Sequence, residues 1–246
     1  MLEKDSLYKQ ISNAQGEIAI LIDPEKTNTE KQLNTLLLVL AKSAVHFLFV
    51  GGSSATQIQV DFVVRYLKNN CQLHIVLFPG SNKQFSGAAD GILYLSLLSS
   101  DNPKYLIQQH TENSLEIYQS SLEILPTAYL LIDGNSDSSV AKISNTKPLE
   151  RTAKKEVLNI SLAGLLQGKK LIFLDAGSGA KKTVPNSIIK EIKKHTKVPL
   201  IIGGGIKTTK KLITLKKLGV NIIVIGNHLE KNIKNFNVIS NYLNCK

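Results

Sequence analysis

The chain has 246 residues, 43% of them hydrophobic, and a formal net charge of +11. This length can bury the core of one α/β domain, and no Pro/Gly/Ser-rich linker divides it, so we predict a single domain over residues 1–246. No apolar run approaches the ~20 residues of a membrane span. Cys71 and Cys245 lack metal or redox spacing, and the amino terminus has no apolar signal core, which together favour a cytoplasmic protein.

The positive charge does not by itself predict nucleic-acid binding. Arg65 and Arg151 are the only arginines, whereas paired hydrogen bonds to bases favour arginine. The lysines are spread over predicted helices, as on a solvated surface. A positive field also attracts anionic small molecules or an anionic membrane surface. We therefore rank solvated helix faces first, anionic small molecules second and nucleic acid a distant third.

Apolar runs of strand length alternate with helical patterns along the whole chain. The predicted strands are 17–22, 47–50, 73–78, 91–95, 127–132, 171–175, 200–202 and 221–225. Predicted helices cover 3–15, 29–42, 56–68 and 152–167, and others begin near 102, 185 and 208. Polar or glycine-rich clusters follow nearly every strand. This favours a (β/α)₈ TIM barrel, which gathers such clusters in one ring of loops, over an open doubly wound sheet.

Two connections depart from this alternation. Residues 82–90 are too few for a covering helix, so we predict a modified barrel whose third helix is missing, leaving an exposed apolar strip or a groove in the wall. The polar segment 136–151 is long for a loop, and such loops are uncommon unless they cover a site. Elsewhere the spacing of Thr29 and Gln32 predicts a capping box at a helix start.

Three successive strand ends are rich in small residues. They are Asp-Ala-Gly-Ser-Gly-Ala at 175–180, Gly-Gly-Gly-Ile at 203–206 and Gly-Asn at 226–227. Glycines allow close backbone approach, and successive amides form an anion-sized concavity. In parallel barrels a phosphate site commonly follows the last two strands. One such loop is an ordinary turn, but three in succession predict a phosphate site.

The tips of all strands meet at one face of a barrel, so Asp23, Ser53, Tyr129 and Asp175 should converge there. Asp23 beside the Ser53 hydroxyl suits Mg²⁺, which takes oxygen ligands, few carboxylates and substrate phosphates. The alternative is that Asp23 caps a turn and Ser53 tightens one. Asp175 could orient or deprotonate a hydroxyl near a bound phosphate, or satisfy amides at a helix N-terminus. The 5 histidines show no ligand spacing and are interpreted as core or surface residues.

Several segments, jointly and in order, resemble the geranylgeranylglyceryl phosphate synthases and their bacterial heptaprenylglyceryl relatives. They are LIDPEK at 21–26, VGGS at 50–53, FPGS at 78–81, NPKYLI at 102–107 with QH at 109–110, LPTAYLLIDG at 125–134, ISNT at 143–146, and the three small-residue loops above. The resemblance covers almost the whole chain. The length and the Ala-Gly-Ser-Gly loop look like the archaeal-type branch.

The resemblance implies a barrel without its third helix, forming one prenyltransferase domain. It implies transfer of a geranylgeranyl group from geranylgeranyl diphosphate to the 3-hydroxyl of sn-glycerol 1-phosphate, the first ether bond of archaeal-type lipids. Mg²⁺ on the diphosphate would be held by Asp23 and Ser53. Glycerol phosphate would be held by Phe173, Leu174, Asp175, Ala176, Gly177, Ser178, Gly179, Gly204, Gly205, Gly226 and Asn227.

Within this scheme Asp175 is the expected general base for the glycerol hydroxyl, and Tyr129 offers an aromatic face to the allylic cation. The apolar strip beside the missing helix would shelter the prenyl tail. The family usually has Tyr-Leu-Glu where this chain has Phe173-Leu174-Asp175. A phenol is therefore lost, and the carboxylate is one methylene shorter.

The resemblance further implies a homo-oligomer, a dimer or a hexamer, and the basic surface suggests a peripheral membrane contact. The alternatives are a prenylglyceryl phosphate synthase for longer chains and a phosphosugar isomerase or lyase of the phosphate-binding barrel type. A further alternative is a non-catalytic module that binds membranes through its basic surface. The phosphosugar alternative would need only the last three loops.

Overall fold

The computed structural model describes residues 6–41, 43, 45–81 and 83–226. Parallel strands form a closed barrel in the order β1 to β8, and β8 pairs with β1. The strands are β1 Glu17–Ile22, β2 Val45–Val50, β3 His74–Leu77, β4 Gly91–Leu97, β5 Glu123–Leu131, β6 Leu171–Asp175, β7 Leu200–Gly203 and β8 Ile222–Ile225. The TIM-barrel prediction is confirmed, and closure of the ring excludes the open sheet.

Helices pack outside the strands. They are α1 Leu7–Asn13, α2 Glu30–Leu40, α3 Gln57–Asn70, α4 Gln109–Gln119, α5 Ser139–Ser144, α6 Lys154–Leu166, α7 Asn186–His195 and α8 Thr209–Lys217. A π-helical turn, Lys104–Gln108, runs directly into α4. Between β3 and β4 the described residues form no helix, as the short connection predicts. No helix in the described ranges combines the length and apolar character needed to cross a bilayer.

The core has two layers, as the alternation of side chains along each strand requires. One layer lies between the strands and the outer helices. The other fills the barrel and includes Phe47, Phe49 and Phe173, together with Leu7 and Ile11 of α1. Helix α1 therefore closes the amino-terminal end of the barrel and leaves the opposite end for the site.

One local prediction holds in detail, and two differ from the structure. The capping box of Thr29 and Gln32 is formed, and it starts α2 because side chains satisfy amides that the first turn leaves unpaired. The polar segment 136–151 contains the short helix α5 rather than only loop. Strand β5 begins before the predicted residue 127, because Pro126 is tolerated there. The carbonyl of Pro126 accepts a 2.7 Å hydrogen bond from the N–H of Lys170, which directly precedes β6. Pro126 therefore lies level with residues before β6, and its missing N–H costs no hydrogen bond to that strand.

The predicted groove in the wall lies between β3 and β4. These strands pair only at Val76–Gly91 and Leu77–Ile92, whereas β4 pairs with β5 along its whole length to Leu97. The lower part of the gap is covered by the helix-less connection, in which Phe85 is buried. The upper part of β4 runs on beyond the last residue that pairs with β3. We call the gap above this pairing the cleft between β3 and β4; beside it, Leu95 and Leu97 line the cavity at the carboxyl end of the barrel.

Candidate active site

A cavity of about 640 Å³ opens at the carboxyl ends of the strands. Tips of strands from around the ring converge there, as the barrel topology predicts. The predicted site residues that line it are Asp23, Ser53, Tyr129, Phe173, Asp175, Gly177, Ser178, Gly179, Gly204, Gly205 and Gly226. The side chains of Leu174 and Ala176 instead pack in the outer hydrophobic layer, so they could contribute only through their backbone. Asn227 lies outside the described residues.

A hydrogen-bonded pair of buried polar side chains lies inside the cavity. The Tyr129 hydroxyl donates to Asp175 Oδ2 at 2.7 Å, and the N–H of Gly177 donates to Asp175 Oδ1 at 2.8 Å. The two side chains meet because Tyr129 pairs with Phe173 across β5 and β6, which places Asp175 two residues further along the same face. Each carboxylate oxygen keeps a second lone pair for a substrate.

The electrostatics of this pair suit proton transfer. Burial raises the pKa of Asp175, and the hydrogen bonds from Tyr129 and Gly177 offset part of that rise. Burial, together with the charge and hydrogen bond of Asp175, raises the pKa of Tyr129 well above its ordinary value. Tyr129 therefore stays protonated as the donor. Asp175 becomes a stronger base than an exposed aspartate while its charge remains supported.

Three aromatic rings form one wall beside this pair. Phe78 and Phe173 stack with ring centroids 5.3 Å apart, and Tyr129 meets Phe173 edge-on at 5.3 Å and Phe78 edge-on at 5.9 Å. Phe78 follows β3, within the segment 78–81 of the family resemblance, but it was not among the predicted site residues. Aromatic faces attract cations, so this wall can stabilise positive charge that develops on a substrate.

The loops after β6 and β7 interlock closely enough to require glycine. Gly204 has φ +82°, and a Cβ atom there would lie 2.7 Å from the nitrogen of Gly177. Gly205 has φ +69°. Both glycines line the cavity, where backbone N–H groups without side chains above them can be reached by an anion. The neighbouring Lys207 also lines the cavity and adds positive charge.

Asp23 lines the same cavity at the tip of β1, which pairs with β8 in the ring. Its Oδ1 accepts from the N–H of Glu25 at 3.1 Å, and the Lys26 ammonium donates to its Oδ2. Gly52 packs against this carboxylate, and a Cβ there would lie 2.6 Å from Oδ1. Lys26 was missed in the sequence as a partner of Asp23, although its spacing of three residues allows that contact.

This donor set fits a Mg²⁺ ion that takes most of its ligands from elsewhere. No cluster of three or more His, Cys, Asp or Glu residues that could hold a metal occurs within the described ranges. Mg²⁺ commonly binds through one or two carboxylates, several waters and substrate phosphates. The buried Asp23 carboxylate already contacts one cation, the Lys26 ammonium. The Ser53 hydroxyl faces the same cavity.

The apolar side of the cavity borders the cleft between β3 and β4. Leu95 and Leu97 of β4 line the cavity together with Val140 and Ile143 of α5, so the long polar segment borders the site as predicted. The carbonyl of Leu95 accepts a 2.7 Å hydrogen bond from Nε2 of His110. That bond requires a proton on Nε2.

His110 joins the start of α4 to the upper part of β4. Its ring stacks on Tyr94 with centroids 4.2 Å apart. Burial lowers the pKa of His110, which favours the neutral ring. The ring therefore ties α4 to β4 beside Leu95, a structural role in keeping with the interpretation from sequence.

Comparison with known proteins gives consistent matches over nearly the whole chain. Residues 10–242 match the PcrB family. A geranylgeranylglyceryl phosphate synthase from Zunongwangia profunda is 41% identical over 226 residues, covering 92% of this chain and 96% of that relative. Wild-type GGGPS from Thermoplasma volcanium has a TM-score of 0.87 at 27% identity, with 97% of this chain and 96% of that chain covered.

A further solved structure shares the fold. It is (S)-3-O-geranylgeranylglyceryl phosphate synthase from Thermoplasma acidophilum in complex with sn-glycerol-1-phosphate. The TM-score is 0.89 at 24% identity, and 98% of each chain is covered. At this identity the similarity establishes the architecture alone.

Proposed function

The chain belongs to the PcrB family, and on this premise we propose that it is a prenyltransferase acting on sn-glycerol 1-phosphate. The donor is geranylgeranyl diphosphate, and the product is 3-O-geranylgeranyl-sn-glyceryl 1-phosphate with release of diphosphate. The observation that carries the proposal is the buried Tyr129–Asp175 pair beside the glycine loops. A barrel that only bound a phosphate would have no need for a buried base there.

Glycerol phosphate occupies the part of the cavity below the loops after β6, β7 and β8. The interlocked glycines 204 and 205 and the loop 177–179 surround the phosphate, and their amides with Lys207 supply the positive potential. Asp175 is adjacent, because it pairs in register with Gly203. The 3-hydroxyl of the bound glycerol can then reach the Asp175 carboxylate.

The diphosphate occupies the part of the cavity at the tips of β1 and β2, near Asp23 and Ser53. These residues would hold Mg²⁺ there, and a bound ion would supply positive charge against the departing diphosphate. Lys26 places a second cation at the same carboxylate. The prenyl chain extends along Leu95, Leu97 and the apolar face of α5 into the cleft between β3 and β4.

The chemical step exchanges one carbon–oxygen bond for another. The bond between C1 of the prenyl group and the diphosphate oxygen breaks, and C1 bonds to the glycerol 3-oxygen. The proton of that hydroxyl passes to Asp175, whose pKa is raised by burial and which Tyr129 holds in place. The ring wall of Tyr129, Phe78 and Phe173 stabilises positive charge on the allylic carbon.

Phe173 and Asp175, the two departures from the usual family pattern, fit this scheme together. Tyr129 supplies the phenol that holds the shorter carboxylate. Phe173 contributes only its face, stacked on Phe78. The site thereby keeps a hydroxyl, a carboxylate and an aromatic wall although position 173 carries no phenol.

The test is an assay with geranylgeranyl diphosphate and labelled sn-glycerol 1-phosphate, with Mg²⁺ or with a chelator. The 3-phosphate enantiomer of glycerol phosphate is run in parallel, and a series of prenyl donors tests a longer-chain synthase. Lipid-soluble product from the 1-phosphate alone, lost on chelation, supports reaction, stereochemistry and metal together. No product with any donor, despite glycerol phosphate binding, would contradict the proposal and favour a phosphosugar enzyme.

A homo-oligomer, a dimer or a hexamer, is the proposed assembly. Large apolar side chains are exposed on the outer helices, among them Leu115, Tyr118 and Leu166. Such side chains are commonly covered at interfaces between subunits. Light scattering coupled to size exclusion measures the mass directly, and a monomer at micromolar concentration would contradict the proposal.

We also propose a peripheral membrane contact in the cytoplasm, because the product of the proposed reaction is a lipid. The formal charge of +11 favours an anionic surface. Sedimentation with anionic vesicles, compared with neutral ones, tests this. Equal recovery in the supernatant from both would contradict it.

A further inference from the structure

The connection between β3 and β4, which has no helix, contains a buried carboxamide whose two donor and two acceptor positions all form hydrogen bonds. Gln84 is 1% exposed. Its oxygen accepts from the N–H groups of Gly80 at 3.0 Å and Gly52 at 3.4 Å. Its nitrogen donates to the carbonyls of Gly52 at 2.8 Å and Ala55 at 3.1 Å. Two backbone donors and two backbone acceptors thereby fix the orientation of the amide.

These bonds join the loop after β2 to the loop after β3. Gly52 is held at both its N–H and its carbonyl by the same side chain. On its other side Gly52 packs against the Asp23 carboxylate, where a Cβ would lie 2.6 Å from Oδ1. The next residue, Ser53, lines the cavity. Gln84 therefore fixes the position of Gly52, which contacts the Asp23 carboxylate and directly precedes Ser53.

We infer that Gln84 is a positioning residue for the diphosphate half of the site. It clamps the loops after β2 and β3, so that Ser53 and Asp23 face the diphosphate oxygens together. It acts through Gly52, since its own side chain is buried behind the loop. The identity of the ligand rests on the proposed function, whereas the clamp rests on the hydrogen bonds alone.

The sharpest variant is Gln84→Glu, which preserves shape but replaces the amide nitrogen by an oxygen that faces two carbonyls. A buried group left without its partner weakens the clamp strongly. We expect KM for geranylgeranyl diphosphate, and the Mg²⁺ concentration for half-maximal rate, to rise about tenfold or more. KM for sn-glycerol 1-phosphate should stay within about twofold, because its loops make none of these bonds.

Asn221 offers a matched control at the opposite end of the barrel. Its carboxamide accepts from the N–H of Leu200 at 3.0 Å and donates to the carbonyls of Ser12 at 3.0 Å and Ala14 at 3.1 Å. Asn221→Asp should lower Tm while leaving the ratio of the two KM values unchanged. If Gln84→Glu behaves in the same way, Gln84 has only a structural role and the inference is wrong.

A second measurement separates this inference from the proposed function. Hydrogen exchange is followed in peptides covering 51–55, 78–81 and 203–206, in the wild type, in Gln84→Glu and in the uncharged variant Gln84→Met. The inference expects faster exchange in the first two peptides and no change in the third. Exchange that stays at the wild-type rate in all three overturns the clamp. If the wild type makes no prenylated product, the proposed function fails, but this comparison still decides whether Gln84 orders the loops.

Discussion

Tyr129→Phe removes one hydroxyl from the site and keeps the aromatic ring. The ring makes edge-on contacts at 5.3 and 5.9 Å with its two phenylalanine neighbours, and a phenylalanine at the same position can make both. What is lost is the 2.7 Å hydrogen bond to Asp175. The variant therefore separates support of the base from stabilisation of the cation.

The magnitude follows from the charge and burial of the acceptor. A hydrogen bond to a charged group contributes about 1.5–3 kcal/mol, and each ~1.4 kcal/mol of barrier is a factor of about ten in rate. We expect kcat to fall about 10- to 100-fold, because Asp175 is no longer held in orientation toward the glycerol hydroxyl, even though its basicity rises. The sign of the pH effect follows as well. The bond from Tyr129 lowers the pKa of Asp175 against the effect of burial, so its loss raises that pKa.

The assay is the pH profile of kcat with saturating prenyl donor, glycerol phosphate and Mg²⁺. Because the base must be ionised, the acidic limb should move to higher pH in Tyr129→Phe. Tyr105→Phe is the matched control, since that hydroxyl donates at 2.8 Å to the carbonyl of Ile143 rather than to a carboxylate. Its acidic limb should match the wild type. A wild-type kcat and an unmoved limb in Tyr129→Phe would refute the role of Asp175 as the supported base.

Three further predictions concern the cradle, the cleft and the metal. Gly204→Ala should weaken sn-glycerol 1-phosphate binding in calorimetry, because it strains a residue at φ +82° and crowds a backbone nitrogen. Gly168 has φ +89° but open space around it, so Gly168→Ala should lower the free energy of unfolding by about 1–2 kcal/mol without changing glycerol phosphate binding. Equal binding by the two variants would contradict the role of Gly204 in the phosphate site. His110→Ala removes the 2.7 Å bond to Leu95, which lines the cavity, and should raise KM for the prenyl donor severalfold; an unchanged KM would show that this bond does not position Leu95 for the donor. Asp23→Asn should shift the Mg²⁺ activation curve to higher concentration, and intact turnover with unchanged Mg²⁺ dependence would make the metal assignment wrong.

Much of the fold could be predicted because its signals are local. The strand of residues 17–22 and the capping box at Thr29 depend on neighbours within a few positions, and both agree with the structure. The absence of a third helix followed from chain length, since residues 82–90 cannot form one and still return to the next strand. The early start of β5 was missed because proline usually ends a strand. A proline ends a strand only where its missing N–H would have bonded to a neighbouring strand, and this depends on the register between the strands.

The predicted site residues came together for a topological reason, whereas their partners could not be predicted. Closure of the barrel brings the strand tips to one face whatever their separation in sequence. The contact between Tyr129 and Asp175 spans 46 positions and depends on the register of β5 against β6. Gln84 carries no sequence signal at all, because a glutamine in a short polar connection is ordinarily exposed. Its burial becomes visible only when the loops that it joins are placed in space.

Closure of the ring also explains how one cavity can serve two anionic substrates. In order around the barrel, the tips of β1 and β2 carry Asp23 and Ser53, and the tips of β6 to β8 form the glycine cradle. In an open sheet β1 and β8 would be opposite edges, but here they pair, so the two anion sites are neighbours on one side. The tip of β2 adjoins β3, so the cleft between β3 and β4 is close to Ser53 and lies across the barrel from the glycine cradle. A donor whose diphosphate is held near β1 and β2 can therefore extend its tail into that cleft while the acceptor occupies the cradle. In the proposed mechanism the reacting carbon lies between the two anion sites, where Asp175 and the wall of Phe78, Tyr129 and Phe173 border the cavity.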